Sequence, residues 1–190
     1  AVMLRWKSSL KPTSGGGGVP TPDLLWWKMK PGSGTAITSD VGSDGTFNGT
    51  WSTGASGSGY SIESDGTQTA ATDSSIAYNS NIITVSFWAS FDTFSNDYIL
   101  NNTGTGDGTF EIYAGSASSV LFRLFGSSGE RRTTVTTTLS TNTWYNFFVV
   151  FDNSSDTGDV KVWLNGSSVV NTTSNNKAGT SNIPTGVLNV

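Results

Sequence analysis

A two-residue alternation in the apolar runs constrains this chain more than any other feature. In TWYNFFVVFD, Phe147, Val149 and Phe151 alternate with Phe148, Val150 and Asp152. In ITVSFWASF, Val85, Phe87 and Ala89 alternate with Ser86, Trp88 and Ser90. Val160, Val162 and Leu164 alternate with Lys161 and Trp163, and Val120, Phe122 and Leu124 with Leu121, Arg123 and Phe125. Such a period puts successive side chains on opposite faces of a strand, and no stretch shows the 3.6-residue period of an amphipathic helix. Asp65-Gly66, between YSIES and TQTAAT, and Asn165-Gly166, between VKVWL and SSVVN, are dipeptides that accept the positive φ of a tight hairpin turn. Many short strands cut by turns predict an all-β sandwich or barrel. ITVSFWASF and TWYNFFVVF carry bulk on both faces, as central strands do. One face would meet an opposing sheet. The other, with Trp88, Phe148 and Trp163, would be covered by loops or left as an aromatic surface.

Composition narrows the chemistry. Charged residues make up 13% of the 190, against about 25% in an average globular chain, so burial rests on 7 Trp, 10 Phe and 5 Tyr. With no Cys and no His, disulfides, thiolate metal sites and Ser-His-Asp catalysis are excluded. Carboxylates, Lys, Tyr and oxygen-bound hard cations remain. A net charge of −4 disfavours nucleic acid and anionic membranes, because neither counterion release nor steering would assist binding. Glu130-Arg131-Arg132 reads as a solvated turn, and no apolar run approaches the ~18 residues of a membrane span.

Residues 1–22 differ from the rest. Arg5, Trp6, Lys7 and Lys11 form a basic, partly apolar head, followed by Ser14 and four glycines and then by Pro20 and Pro22. Oligoglycine is flexible and the VPTP piece extended, so this segment is expected to be an arm, an anchor peptide plus linker, ahead of a sandwich over 23–190. A tail without a partner is the alternative. AVMLRWKSSLKP lacks the apolar core of a secretory signal, so export by that route is not expected.

In chain order, LLWWKMKPGSGTAITSDVGSDGTFNGTW, YSIESDGTQTAATDSS, ITVSFWASF, TWYNFFVVFDNSS and VKVWLNGSSV resemble the strands and turns of laminin G-like domains, a branch of the concanavalin A-like lectin/glucanase fold. The second piece keeps Asp65 and Gly66 but has Ser64 where the family usually has Phe. The resemblance covers about residues 23–190 and implies a two-sheet antiparallel jelly roll. It also implies a closing strand beyond GVLNV. The chain is therefore expected either to lack its final strand or to receive that edge from a neighbour.

Glucanases of this fold bracket an Asp with two Glu residues, as retaining hydrolysis requires paired carboxylates. Here Glu63 and Asp65 have the spacing, but Gln68 stands where the second Glu belongs, and an enzyme is not expected. Calcium, which such domains often hold at a loop rim, would have the oxygens of Asp97, Tyr98, Asn101, Asn102, Asp107 and Gly108. Turn formation explains those residues better, and no cofactor is expected. GASGSG at 54–59 has neither the Lys nor the helix of a phosphate loop.

Sugar binding remains. Aromatic faces stack on pyranose rings while amides and carboxylates bond the hydroxyls. Trp88 and Trp163 on strands, Trp51 and Tyr98 in predicted loops, and Asn101 and Asp107 beside them are the candidates. For Trp88 and Trp163 a packing role, which the family gives these positions, is the stronger expectation. The expected function is a non-enzymatic phage virion module, a head decoration or tail-fibre adhesin. Such a module would be held to capsid or tail proteins through Arg5, Trp6, Lys7 and Lys11, arrayed or homo-oligomeric on the particle surface, and able to bind host or environmental glycans. The alternative is a secreted bacterial carbohydrate-binding or surface-adhesion domain.

Overall fold

A computed structural model describes residues 2–5, 25–27, 34–53, 60–64, 70–94, 96–103, 106–156, 159–169 and 172–190. These residues form strands and no helix. One sheet has seven strands in the spatial order β16 (Ser167–Val169), β15 (Asp159–Leu164), β14 (Tyr145–Asp152), β9 (Ile82–Phe91), β1 (Val2–Arg5), β7 (Tyr60–Ser64) and β6 (Thr50–Thr53). A nine-stranded sheet runs β17 (Thr172–Ala178), β13 (Ser128–Val135), β12 (Ser119–Phe125), β11 (Phe110–Ser116), β10 (Asp97–Asn102), β18 (Leu188–Asn189), β8 (Ala70–Thr72), β5 (Gly45–Phe47) and β3 (Ala36–Ile37). A small third sheet pairs β2 (Trp26–Trp27) with β4 (Ser39–Val41). The two large sheets are antiparallel and pack as a sandwich, the all-β architecture that the alternation predicts.

The alternation holds residue by residue. Val85, Phe87 and Ala89 of β9, Phe147, Val149 and Phe151 of β14, Val160 and Val162 of β15, and Val120, Phe122 and Leu124 of β12 are all buried. Pairing sets Phe147 opposite Phe87, and their rings stack 5.2 Å apart. Phe147 also reaches across to Phe122 of the other sheet, 5.7 Å between centroids, and Phe151 reaches Phe110 at 4.9 Å. At one side the buried Thr133 hydroxyl donates to the Val160 carbonyl, a polar link between the sheets that leaves its donor satisfied. The Asn165-Gly166 turn forms as expected. Leu164 pairs with Ser167 across it, and both turn residues have positive φ, 50° and 83°.

Four expectations change. First, Val2–Arg5 lies inside the seven-stranded sheet, between β9 and β7, so the head of the expected arm supplies a strand and the sandwich does not begin at residue 23. Residues 6–24 connect that strand to Leu25, which packs against the core. Second, Leu188–Asn189 sits between β10 and β8, paired on both sides. That strand thus occupies an inner position of its sheet and not an edge. Third, Asp65-Gly66 does not make a hairpin, because β7 and β8 on either side of it belong to different sheets. The dipeptide itself lies outside the described residues. Fourth, Glu130, Arg131 and Arg132 lie within β13 and not in a turn. The reversal comes earlier, at 126–129, where Gly126 N–H donates to the Gly129 carbonyl and Gly129 takes φ 68°.

If the inner rings hold the sheets together, Phe147→Ala should lower the unfolding free energy by about 3–5 kcal/mol. Phe148→Ala, one residue along on the outer face, should cost roughly 1–2 kcal/mol. Urea denaturation of both variants measures the contrast, and equal losses would contradict the assigned faces.

Candidate functional site

The six residues expected to bind sugar fall in separate places. Trp51 is on strand β6 and not in a loop. Its indole N–H donates to the Gly34 carbonyl at 3.1 Å, and its ring meets Phe47 edge-on at 5.6 Å. Its N–H is therefore committed, and its ring is half-buried against the core. Trp88 and Trp163 point outward from the seven-stranded sheet, between inward-facing neighbours. Trp163 meets Phe148 edge-on at 5.4 Å, and all three rings are half-buried. The outer aromatic surface therefore exists, partly covered. Tyr98 is also on a strand, β10, not in a loop, and it projects with Asn101 from the opposite side of the sandwich.

Asp107 is a clasp. Its carboxylate accepts Asn153 Nδ2–H and Ser181 N–H, each at 3.1 Å, and its carbonyl accepts the Ser181 hydroxyl at 3.1 Å. Gly179 packs so closely that a Cβ there would collide with the Asp107 carboxylate. Of the other oxygens considered for calcium, Asn102 Oδ1 accepts Phe110 N–H at 2.8 Å, and Asn101 Oδ1 accepts Asn189 Nδ2–H at 3.0 Å. Arg5 ends β1 with its Cα across from Trp88, while Trp6, Lys7 and Lys11 lie outside the described residues.

What the structure assembles is the outer face of the nine-stranded sheet. A β-bulge between Tyr98 and Leu100 turns Ile99 and Leu100 both inward, each 1% exposed. Tyr98 and Asn101, three residues apart, consequently face outward together. Register then builds rows across the strands. Tyr98 stands opposite Tyr113, Tyr113 opposite Leu121, and Leu121 opposite Thr134. The next row runs from Asn189 through Asn101, Glu111 and Arg123 to Arg132. Beyond it, Phe125 faces Glu130.

Tyr98 is 56% exposed, an unusual position for a large ring. It stands edge-on to Tyr113, 5.3 Å between centroids, and the Arg123 guanidinium lies 5.3 Å from the Tyr113 ring. Arg123 and Arg132 are directly opposed, which by itself is repulsive. Two carboxylates resolve it: Glu111 Oε1 lies 2.9 Å from Arg123 Nε, and Glu130 reaches Arg123 at 3.8 Å and Arg132 at 3.5 Å. The Arg123–Glu111 contact is close but not aligned as a hydrogen bond, so charge attraction carries it. Burial pushes the Glu111 pKa above its ordinary value; Arg123 pulls it back down and Glu130 pushes it up. Desolvation outweighs the ion pair here, as it can where both groups are largely covered.

Of this face the sequence pointed to Tyr98 and Asn101. Tyr113, Leu121, Glu111, Arg123, Glu130, Arg132 and Asn189 were missed, though the GSSG turn carried a usable signal. A hairpin closed at 126–129 sets residue 123 opposite 132 and 125 opposite 130. The chain matches no family model and no curated protein, so the laminin G-like resemblance rests on its five sequence pieces.

A carboxyl whose pKa rises on folding adds stability that is complete below its ordinary value of 4.5 and is lost as pH rises through the folded value. Relative to Glu111→Gln, the wild-type urea midpoint should therefore fall as pH is raised from below 4.5 toward neutrality. A gap that widens in favour of the wild type would show that Arg123 outweighs burial.

Proposed function

We propose that the protein is a non-enzymatic virion module, of the head-decoration or tail-fibre kind, whose sandwich presents a glycan-binding face on the nine-stranded sheet. The observation that carries the binding half is Tyr98. This exposed ring is held edge-on by Tyr113 and stands beside the Asn101–Asn189 amide pair, an aromatic surface with hydrogen-bonding groups at its side. Pyranose rings offer the complementary surface, an apolar face rimmed by hydroxyls.

The non-enzymatic reading is supported by Arg123, which contacts both Glu111 and Glu130. A hydrolytic pair needs the scissile bond between its carboxylates, and here a guanidinium bridges them. Attachment to capsid or tail proteins through Trp6, Lys7 and Lys11 would use the connection between β1 and Leu25, since β1 itself is committed to the sheet.

Glycan-array binding of the intact protein, repeated with Tyr98→Ala, tests the binding half. The expected result is a loss of at least about tenfold in affinity, with a melting temperature changed by less than about 2 °C because the ring is largely exposed. A blank array for the intact protein, or binding unaffected by Tyr98→Ala, would overturn it. Immunogold microscopy of a phage lysate tests the location. Label on particles is expected, and label confined to the particle-free fraction would instead favour a secreted carbohydrate-binding domain.

A further inference from the structure

We infer that the ligand of this face is an extended, uncharged glycan chain lying across strands β10–β13, an inference that rests on the sugar-binding reading above. Two observations carry it.

The first is charge. Two glutamates and two arginines form one chain of ion pairs, from Glu111 through Arg123 and Glu130 to Arg132. Their side chains are 13–34% exposed, whereas Tyr98 is 56% exposed. The most exposed side chain of this face is therefore aromatic, with the charges paired among themselves in the row beside it. An anionic glycan would have to draw an arginine away from its carboxylates, leaving a largely covered Glu without its counter-charge, which costs more than an exposed ion pair returns. An uncharged glycan asks for no such exchange. Its hydroxyls can bond to the carboxylate oxygens, guanidinium N–H groups and amides while these keep their partners.

The second is direction. Tyr98, Tyr113, Leu121 and Thr134 come from four consecutive strands at one level. With neighbouring strands about 4.8 Å apart, the row spans roughly 14 Å across the sheet. The row of Asn101, Glu111, Arg123 and Arg132 runs beside it, about 7 Å away along the strands. An apolar track flanked by a hydrogen-bonding track over that length exceeds a single pyranose ring. It suits several consecutive sugars, with ring faces over Tyr98, Tyr113 and Leu121 and hydroxyls toward the polar row.

Isothermal titration separates the outcomes. The probes are cello-, manno- and xylo-oligosaccharides from monosaccharide to hexasaccharide, with polygalacturonate and dextran sulfate as polyanions, at low and high salt. In at least one neutral series affinity should rise about tenfold or more from disaccharide to hexasaccharide, independently of salt, while the polyanions do not bind. Leu121→Thr keeps a strand-forming residue and removes one apolar step of the track. It should weaken the hexasaccharide by about tenfold and leave the disaccharide unchanged. Binding confined to polyanions, binding weakened by salt, or a monosaccharide bound as tightly as the hexasaccharide would overturn this inference and leave the sugar-binding reading standing. No binding by any glycan would overturn both.

Discussion

Phe147 touches the two halves of the molecule at once: it stacks on Phe87 within its own sheet and meets Phe122 in the other. With Phe151 on Phe110, these rings fill the space between the sheets and fix which face of each strand looks inward. A strand with alternate residues locked inside has no freedom over where the others point. The outer faces thus follow from the core: once Ile112 and Ala114 are inside, Glu111 and Tyr113 must be outside, and likewise Arg123 between Phe122 and Leu124.

On the nine-stranded sheet this sorting gathers groups that are far apart in the chain. The reversal at 126–129 brings Arg123 opposite Arg132, an arrangement tolerable only because Glu130 contacts both and Glu111 holds Arg123. The bulge in β10 rephases one strand so that Tyr98 joins the tyrosine row while Asn101 stays in the polar row. Among the described side chains of this face, two arginines and two glutamates pair with one another beside one prominent exposed ring. A surface of that kind suits recognition of neutral, ring-shaped ligands better than steering of ions.

Local signals were legible in the sequence, and non-local pairings were not. The inward sets of β9, β12, β14 and β15 came directly from alternation, and Asn165-Gly166 specified its turn through the positive φ it accepts. Asp65-Gly66 carries the same local signal, yet the strands beside it go to different sheets, because the choice of partner is set by the whole core and not by the turn. For the same reason a basic head could not be recognised as β1, nor GVLNV as an inner strand: each is held by residues distant in sequence. Trp51 is a stacking candidate in the sequence, yet the distant Gly34 carbonyl takes its N–H and Phe47 packs against its ring. Tyr98 and Asn101 share a face only through a bulge, which no strict period of two would allow.

Ligand bound as proposed meets the nine-stranded face and not the half-buried Trp88, Phe148 and Trp163 on the other side. Backbone amide chemical-shift mapping, with the tightest neutral oligosaccharide titrated into isotopically labelled protein, tests this most directly. The predicted result is a continuous set of perturbed amides across Tyr98, Asn101, Tyr113, Leu121 and Arg123, with the seven-stranded sheet unmoved. Perturbations centred on Trp88, Phe148 and Trp163 would contradict it.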